Sequence, residues 1–266
     1  MDALQEMQEA ITPTMTSEET ENVCPKCHGS GWVMYEDEKG CLWQKECECG
    51  IRQLMIMKSR LKFASIPAIY RNTRLKDLRY DAYQNSESRD IYKKAAGAIK
   101  FWLDNLDKML ERGKGLYFVS KFKGCGKTMT ACALANELLY EKHIPVKFAT
   151  FNQILDAIKA TYETKSESEY KLICDLQNTK VLFIDEFGLS KATPWVNEKF
   201  YTIINGRYNN KLATIFTSNL NLKDTAEAGY DERITDRISE MCFSILFPGE
   251  SVRQNIHENE RKELGI

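Results

Sequence analysis

The sequence predicts an α/β protein: a five-stranded parallel sheet flanked by helices and carrying a phosphate-binding loop (P-loop), preceded by a small zinc-binding domain. Three observations predict it. From Gly115 onward, short apolar runs alternate with helical stretches, as a parallel sheet with crossover helices requires. The first of those runs empties into a Gly-rich turn that ends in Lys127-Thr128. Ahead of it, five of the nine cysteines crowd between Cys24 and Cys49. That density in a chain with no secretory signal points to metal rather than disulfides.

Taken in order, residues 1–22 are an acidic leader: Asp2, Glu6, Glu9, Glu18, Glu19 and Glu21 stand there without a Lys or Arg. A short helix at Asp2–Ala10 followed by a flexible tether suits this composition. Residues 23–62 form the zinc-binding domain, with a β-like piece at Gly31–Tyr35, and end in a basic helix, Ile51–Lys62. Its segment is too small to own a core, so metal must staple it. Residues 63–112 lead into the core; Ile66-Pro67 breaks the basic helix, Tyr70–Tyr80 reads as an extended connector, and Ser88–Glu111 as a helix with Leu103, Leu106 and Leu110 at core-facing spacing. Residues 113–266 form the ATPase core. Its strands are expected at Leu116–Val119, Val146–Thr150, Val181–Asp185, Thr214–Ser218 and Cys242–Phe247, and its helices at Lys127–Lys142, Phe151–Tyr162, Glu167–Leu176 and Pro194–Asn210.

Lys123, Gly124, Cys125, Gly126, Lys127, Thr128 and Met129 lie at a strand-to-helix turn, where successive N–H groups and the helix dipole favour a phosphate. Lys127 is placed to neutralise the β- and γ-phosphates of ATP or ADP, and Thr128 to give its hydroxyl to Mg²⁺. The usual leading glycine is absent, its place being taken by Lys121. Either Ser120 serves at the turn, or Lys121 adopts a strained conformation. Asp185 and Glu186 follow the strand Val181–Ile184, at the sheet edge where open α/β sheets bind ligands. Asp185 suits a role on Mg²⁺, and Glu186 is placed to polarise a water for attack on the γ-phosphate. Asn219 follows Thr214–Ser218 at the same edge, where it would hold that water or the γ-phosphate. In the cysteine cluster, Cys24, Cys27, Cys47 and Cys49 supply four soft ligands for tetrahedral Zn²⁺; Cys41 or His28 is an alternative to one of them.

A net charge of −1 excludes a whole-chain field that selects nucleic acid or membrane, and no stretch approaches a membrane span. A cytoplasmic location is therefore expected. One local patch stands out, the eight basic residues from Arg52 to Arg79 against Asp77 alone.

The chain resembles the DnaC/DnaI-type helicase loaders of bacteria and phages, within the AAA+ ATPases, over roughly Cys24 to Arg253. The resemblance is carried by Cys24-Pro-Lys-Cys27 with Cys47-Glu-Cys49, by Ile66-Pro67-Ala68-Ile69-Tyr70, by Phe183-Ile184-Asp185-Glu186-Phe187-Gly188, by Thr217-Ser218-Asn219, by Arg233-Ile234-Thr235-Asp236-Arg237 and by Gly249-Glu250-Ser251-Val252-Arg253. It implies a sheet order of 5-1-4-3-2 and ATP hydrolysis coupled to placing a DnaB-type replicative helicase on single-stranded DNA. It also implies self-association through the ATP sites, with Arg237 as an arginine finger toward a neighbour's ATP and Arg253 as a γ-phosphate contact in its own subunit. A local salt bridge from Arg237 to Asp236 or Glu240 is the plainer reading of that residue. By the same resemblance the helicase contact falls on the N-terminal region, and Arg52, Lys58, Arg60 and Lys62 are available equally to DNA phosphates. The competing reading is an IstB-like transposition helper ATPase acting on duplex DNA; an inactive nucleotide-dependent module is a third, against which the intact Lys127, Thr128, Asp185, Glu186 and Asn219 stand.

Overall fold

The computed structural model describes residues 24–52, 55, 64–163 and 169–264. The leader and most of the basic helix expected at Ile51–Lys62 lie outside the described residues. The chain divides into two compact units, one within residues 1–62 and the other within 63–266.

In the first unit, β1 (Trp32–Glu36) and β2 (Leu42–Glu46) pair antiparallel, Tyr35 opposite Trp43. Asp37 builds the turn between them: its carboxylate accepts from the backbone N–H of Lys39 and Cys41, both at 2.9 Å, and from Trp43 Nε1 at 2.8 Å. The Cys41 N–H, then the Trp43 indole, hold that carboxyl below its ordinary range. No residue of β2 is buried, whereas Cys27 and Cys47 are 2% and 4% exposed. Among the described residues of this unit, the buried side chains are those of Cys27 and Cys47.

In the second unit, β3 (Gly115–Val119), β4 (Val146–Thr150), β5 (Val181–Phe187), β6 (Ala213–Ser218) and β7 (Cys242–Leu246) form a parallel sheet in the order β4-β5-β6-β3-β7. Counted from the first core strand this is 5-1-4-3-2, as the resemblance implied. Its helices are α1 (Ser86–Asp104), α2 (Leu106–Glu111), α3 (Lys127–Asn136), α4 (Phe151–Glu163), α5 (Glu169–Asn178), α6 (Pro194–Asn209), α7 (Leu222–Glu227), α8 (Glu232–Met241) and α9 (Val252–Leu264). Short polar side chains start several of them: Asn85 accepts from Glu87 N, Thr193 from Val196 N ahead of Pro194, Asn221 from Asp224 N and Asp231 from Arg233 N.

The core lies on the sheet face under α4, α6 and α8, where Phe187 touches Phe151, Phe200, Phe216, Tyr117 and Tyr230 at centroid separations of 5.0–6.5 Å. Each such buried aromatic stabilises the fold by about 1.5–3 kcal/mol. The opposite face carries Phe118 and Phe247, and Tyr92 of α1 stands edge-on to Phe247.

Three local expectations are corrected. Tyr70–Tyr80 is not extended; the connector coils into 3₁₀ turns at Ala68–Tyr70, Leu75–Asp77 and Tyr80–Ala82, the second closed by Asp77 accepting from Arg74 N at 2.8 Å. The helix Ser88–Glu111 is two helices, α1 and α2, because Asn105 leaves helical geometry at φ −112°, ψ 25°. The face of α1 that meets the core is Ser88, Tyr92, Ala95, Ile99 and Trp102, so Leu106 continues that stripe while Leu103 and Leu110 are only half-buried.

Candidate functional site

The phosphate loop solves the missing glycine without strain at Lys121, which keeps a negative φ; positive φ falls on Gly124 (77°) and Gly126 (92°), where glycine adopts it freely. Lys121 occupies the glycine's place, and the neighbouring Ser120 serves at the turn. Its hydroxyl donates to Pro248 O at 2.9 Å and accepts from Phe122 N at 3.2 Å, so it ties the start of the loop to the segment after β7. Phe122 covers Gly249, where an added Cβ would lie 3.0 Å from its ring. Lys127, 8% exposed, donates to Ser120 O at 3.1 Å and Phe122 O at 2.9 Å, its ammonium held in the loop's own concavity.

β5 ends with a bulge against β6, between Ile184 and Phe187. The bulge divides the two carboxylates. Asp185 turns inward, 5% exposed, and accepts from Thr128 Oγ1 at 2.9 and 3.2 Å and from Thr217 Oγ1. Burial raises its pKa, opposed by the Thr217 and Thr128 hydroxyls and the Lys127 charge. Glu186 is exposed at φ 59°, with its N–H donating to Thr217 Oγ1 at 3.0 Å. A left-handed conformation at a non-glycine residue costs about 1–3 kcal/mol and clusters at functional sites. Thr128 and Asp185 converge as hard oxygen donors, which fits Mg²⁺.

These elements surround a cavity of about 380 Å³ lined by Lys123, Gly124, Cys125, Gly126, Lys127, Thr128, Met129, Glu186, Asn219 and Arg253. Asp185 lies directly behind Thr128. Arg237 is elsewhere. It sits on α8, donating from Nε to Asn205 Oδ1 at 2.8 Å, with its guanidinium 5.0 and 5.4 Å from the ring centroids of Tyr201 and Tyr208. Its Nη1 donates to Arg233 O at 3.3 Å, while Glu240 accepts from Tyr208. Sequence reasoning assigned no role to Thr217, which bridges Asp185 and the Glu186 N–H, nor to Tyr70, Leu189, Val252 and Ile256, which also line the cavity. Thr217 had a signal in its place two residues before Asn219, and Leu189 and Val252 stand close to Glu186 and Arg253 in sequence, whereas Tyr70 arrives from a distant segment.

In the first unit, the Sγ atoms of Cys24, Cys27, Cys47 and Cys49 all lie within 4.8 Å of one another. The separations of 3.8 Å (Cys24–Cys47) and 3.6 Å (Cys27–Cys49) match the edge of a tetrahedron with metal–sulfur distances of about 2.3 Å. Backbone N–H groups of Cys27 and then Lys26 lower the Cys24 thiol to about 7, whereas burial and the neighbouring thiols push Cys49 up to about 12; it is the sulfur geometry that fits a metal. Neither Cys41 nor His28 belongs to the cluster.

With this geometry in place, the comparisons with known proteins become decisive. A family model described as IstB-like ATP binding protein matches residues 48–260. The chain belongs to the IstB-like ATP-binding proteins. Within this family's reach, it is 29% identical over 138 residues to the replicative helicase loader DnaC of Escherichia coli (strain K12), covering 52% of this chain and 56% of that protein. It is 24% identical over 228 residues to the phage-like element PBSX protein XkdC of Bacillus subtilis (strain 168), covering 84% of this chain and 80% of that one. The crystal structure of the DnaC helicase loader superposes with a TM-score of 0.58 at 25% identity, covering 68% of this chain and 99% of that one. The fold of this IstB-like chain is thus the AAA+ fold of DnaC. Among its described residues, no helix is long and apolar enough to cross a membrane.

Proposed function

We propose that this protein is an ATP-dependent loader that places a DnaB-type replicative helicase on single-stranded DNA. The observation that carries the reading is the joining of Lys127, Thr128, Glu186, Asn219 and Arg253 around one cavity, with Asp185 behind it, in a chain similar to a replicative helicase loader. In this reading Lys127 leaves the loop carbonyls for the β- and γ-phosphates, and Arg253 reaches the γ-phosphate from α9. Magnesium, when bound by Thr128 and Asp185, neutralises phosphate charge. Glu186 takes a proton from water as its oxygen attacks the γ-phosphorus, the bond to the β–γ bridging oxygen breaks, and ADP and phosphate leave. Asn219 orients that water. Arg237 lies outside the cavity of its own chain, as an arginine finger serving a neighbour's ATP would, so turnover belongs to a self-associated form. Zinc in the four-cysteine site keeps the N-terminal unit folded, and that unit meets the helicase.

A second reading, a transposition helper acting on duplex DNA, is favoured by one relative: the chain is 27% identical over 161 residues to the insertion sequence IS232 putative ATP-binding protein of Bacillus thuringiensis subsp. berliner. Capture of the host's replicative helicase by the full chain in ATP, ADP and no nucleotide separates the two. Nucleotide-dependent capture, with single-stranded DNA bound in preference to duplex, is the expected result; no capture under any condition, with duplex preferred, moves the assignment to the transposition helper.

A further inference from the structure

The connector at the start of the second unit does not merely lead to the phosphate loop; it is bonded to it. Tyr83, 2% exposed, donates its hydroxyl to Cys125 O at 2.9 Å, a bond between residues 42 apart in sequence and buried from solvent. Burial keeps this phenol protonated and therefore a donor. The fit is close: a Cβ placed on Gly126 would lie 3.1 Å from the Tyr83 oxygen. One turn further on, Glu250 bridges the connector to the segment that bears Arg253. Its carboxylate accepts from Gln84 N at 2.6 Å, from Asn85 N at 3.1 Å and from Asn255 Nδ2 at 2.5 Å, and Asn255 in turn donates to Ala82 O at 3.2 Å. Ser251 closes the ring, because an added Cβ at Gly124 would come 2.5 Å from its Oγ. At the other end of the connector, Tyr70 lines the cavity, and its carbonyl and that of Thr73 accept from Asn136 Nδ2 on α3 at 2.9 and 2.8 Å.

We infer that Tyr83 and Glu250 are positioning residues that lock the connector, the phosphate loop and the Arg253-bearing turn into one piece, so that nucleotide in the cavity and order in the connector favour each other. The inference rests on the reading of the cavity as the ATP site. Its physical basis is that Cys125 O and the N–H groups of the loop belong to the same few peptide units. A donor that fixes that carbonyl fixes the direction in which the neighbouring N–H groups point at phosphate. This loop has lost its leading glycine, and Tyr83 supplies from outside part of the hold on its shape. Because coupling of two bound states is reciprocal, a nucleotide that settles the loop also settles residues 80–85.

The test uses the full chain as wild type, Tyr83→Phe and Glu250→Gln, with ATPase kinetics and trypsin cleavage at the exposed Arg79 followed with and without ATP. Loss of one hydrogen bond predicts a KM for ATP raised about 3- to 10-fold with kcat held within about 2-fold. In the wild type ATP slows cleavage at Arg79; in both variants that protection is lost. A purely structural role would lower the melting temperature of the nucleotide-free protein without this pairing of KM and protection. Wild-type KM together with wild-type protection in both variants overturns the inference, whereas a wild type that binds no ATP at all overturns the reading of the cavity on which it rests.

Discussion

Glu186 concentrates what a single residue contributes to this site. Its neighbour Asp185 is turned inward and bonded to Thr128, while the bulge at the end of β5 holds Glu186 exposed at positive φ, its N–H fixed by Thr217. Among the described residues that line the cavity, Glu186 brings the carboxylate. Glu186→Gln keeps the shape and removes the proposed base, so ATP binding should persist while kcat falls about 10²- to 10⁴-fold, measured by nucleotide binding beside steady-state turnover. The identity of this pair was legible from an apolar run ending in two acids. The separate roles expected of the two were read there as well; the bulge that turns one inward and the other outward was not, because its partner, β6, lies some thirty residues further along the chain. Thr217 illustrates the same limit: its hydroxyl serves the site only through contacts that the sheet creates. Tyr83 had no local signal at all, its partner Cys125 being 42 residues away.

At the scale of elements, Arg207 shows how the sheet and its helices are tied. It is 0% exposed and donates to Leu176 O, Thr179 O, Ala213 O and Thr214 Oγ1 at 2.6–2.8 Å, joining the end of α5 and the start of β6 to α6. The sequence carried a hint, since Val196, Phe200, Ile203 and Arg207 share a helical face and a cation among core positions must find partners. Arg207→Leu leaves several buried acceptors unpaired and should cost about 3 kcal/mol or more, read as a shift in the denaturation midpoint. The β1–β2 ribbon depends on a different device. Two short strands without a buried row cannot hold themselves, and the clustered sulfurs of Cys24, Cys27, Cys47 and Cys49 are placed to staple them through a metal. About one zinc per chain is expected by elemental analysis, and its removal by a chelator should shift Trp32 and Trp43 fluorescence as the ribbon opens. An unchanged ribbon in zinc-free protein would contradict this. The strands of the core were legible almost to the residue because each is a short apolar run between turn formers. The connector was not, because its 3₁₀ turns are closed by individual bonds such as Arg74 N to Asp77 rather than by periodic apolar residues.

For the whole molecule, the position of Arg237 carries the clearest consequence. It is held on α8 by Asn205 and the rings of Tyr201 and Tyr208, outside the cavity that contains Arg253. If it completes a neighbour's site, turnover per chain should rise with protein concentration, and Arg237→Ala should bind ATP normally yet hydrolyse it about 10³-fold or more slowly. Equal rates for Arg237→Ala and wild type would remove the finger assignment. The family and fold were readable in the sequence because the phosphate loop, the acidic strand end and the Thr217–Asn219 strand end follow one another in the order of the fold. The partner was readable only through resemblance, since no surface charge or spacing names a helicase. The proposed loading of a helicase is measured by transfer of the host's DnaB-type helicase onto closed circular single-stranded DNA, which offers a ring no free end to thread. With ATP, the wild-type chain should leave helicase stably on the circle and Lys127→Ala should leave none. Equal loading with and without this protein would contradict the account.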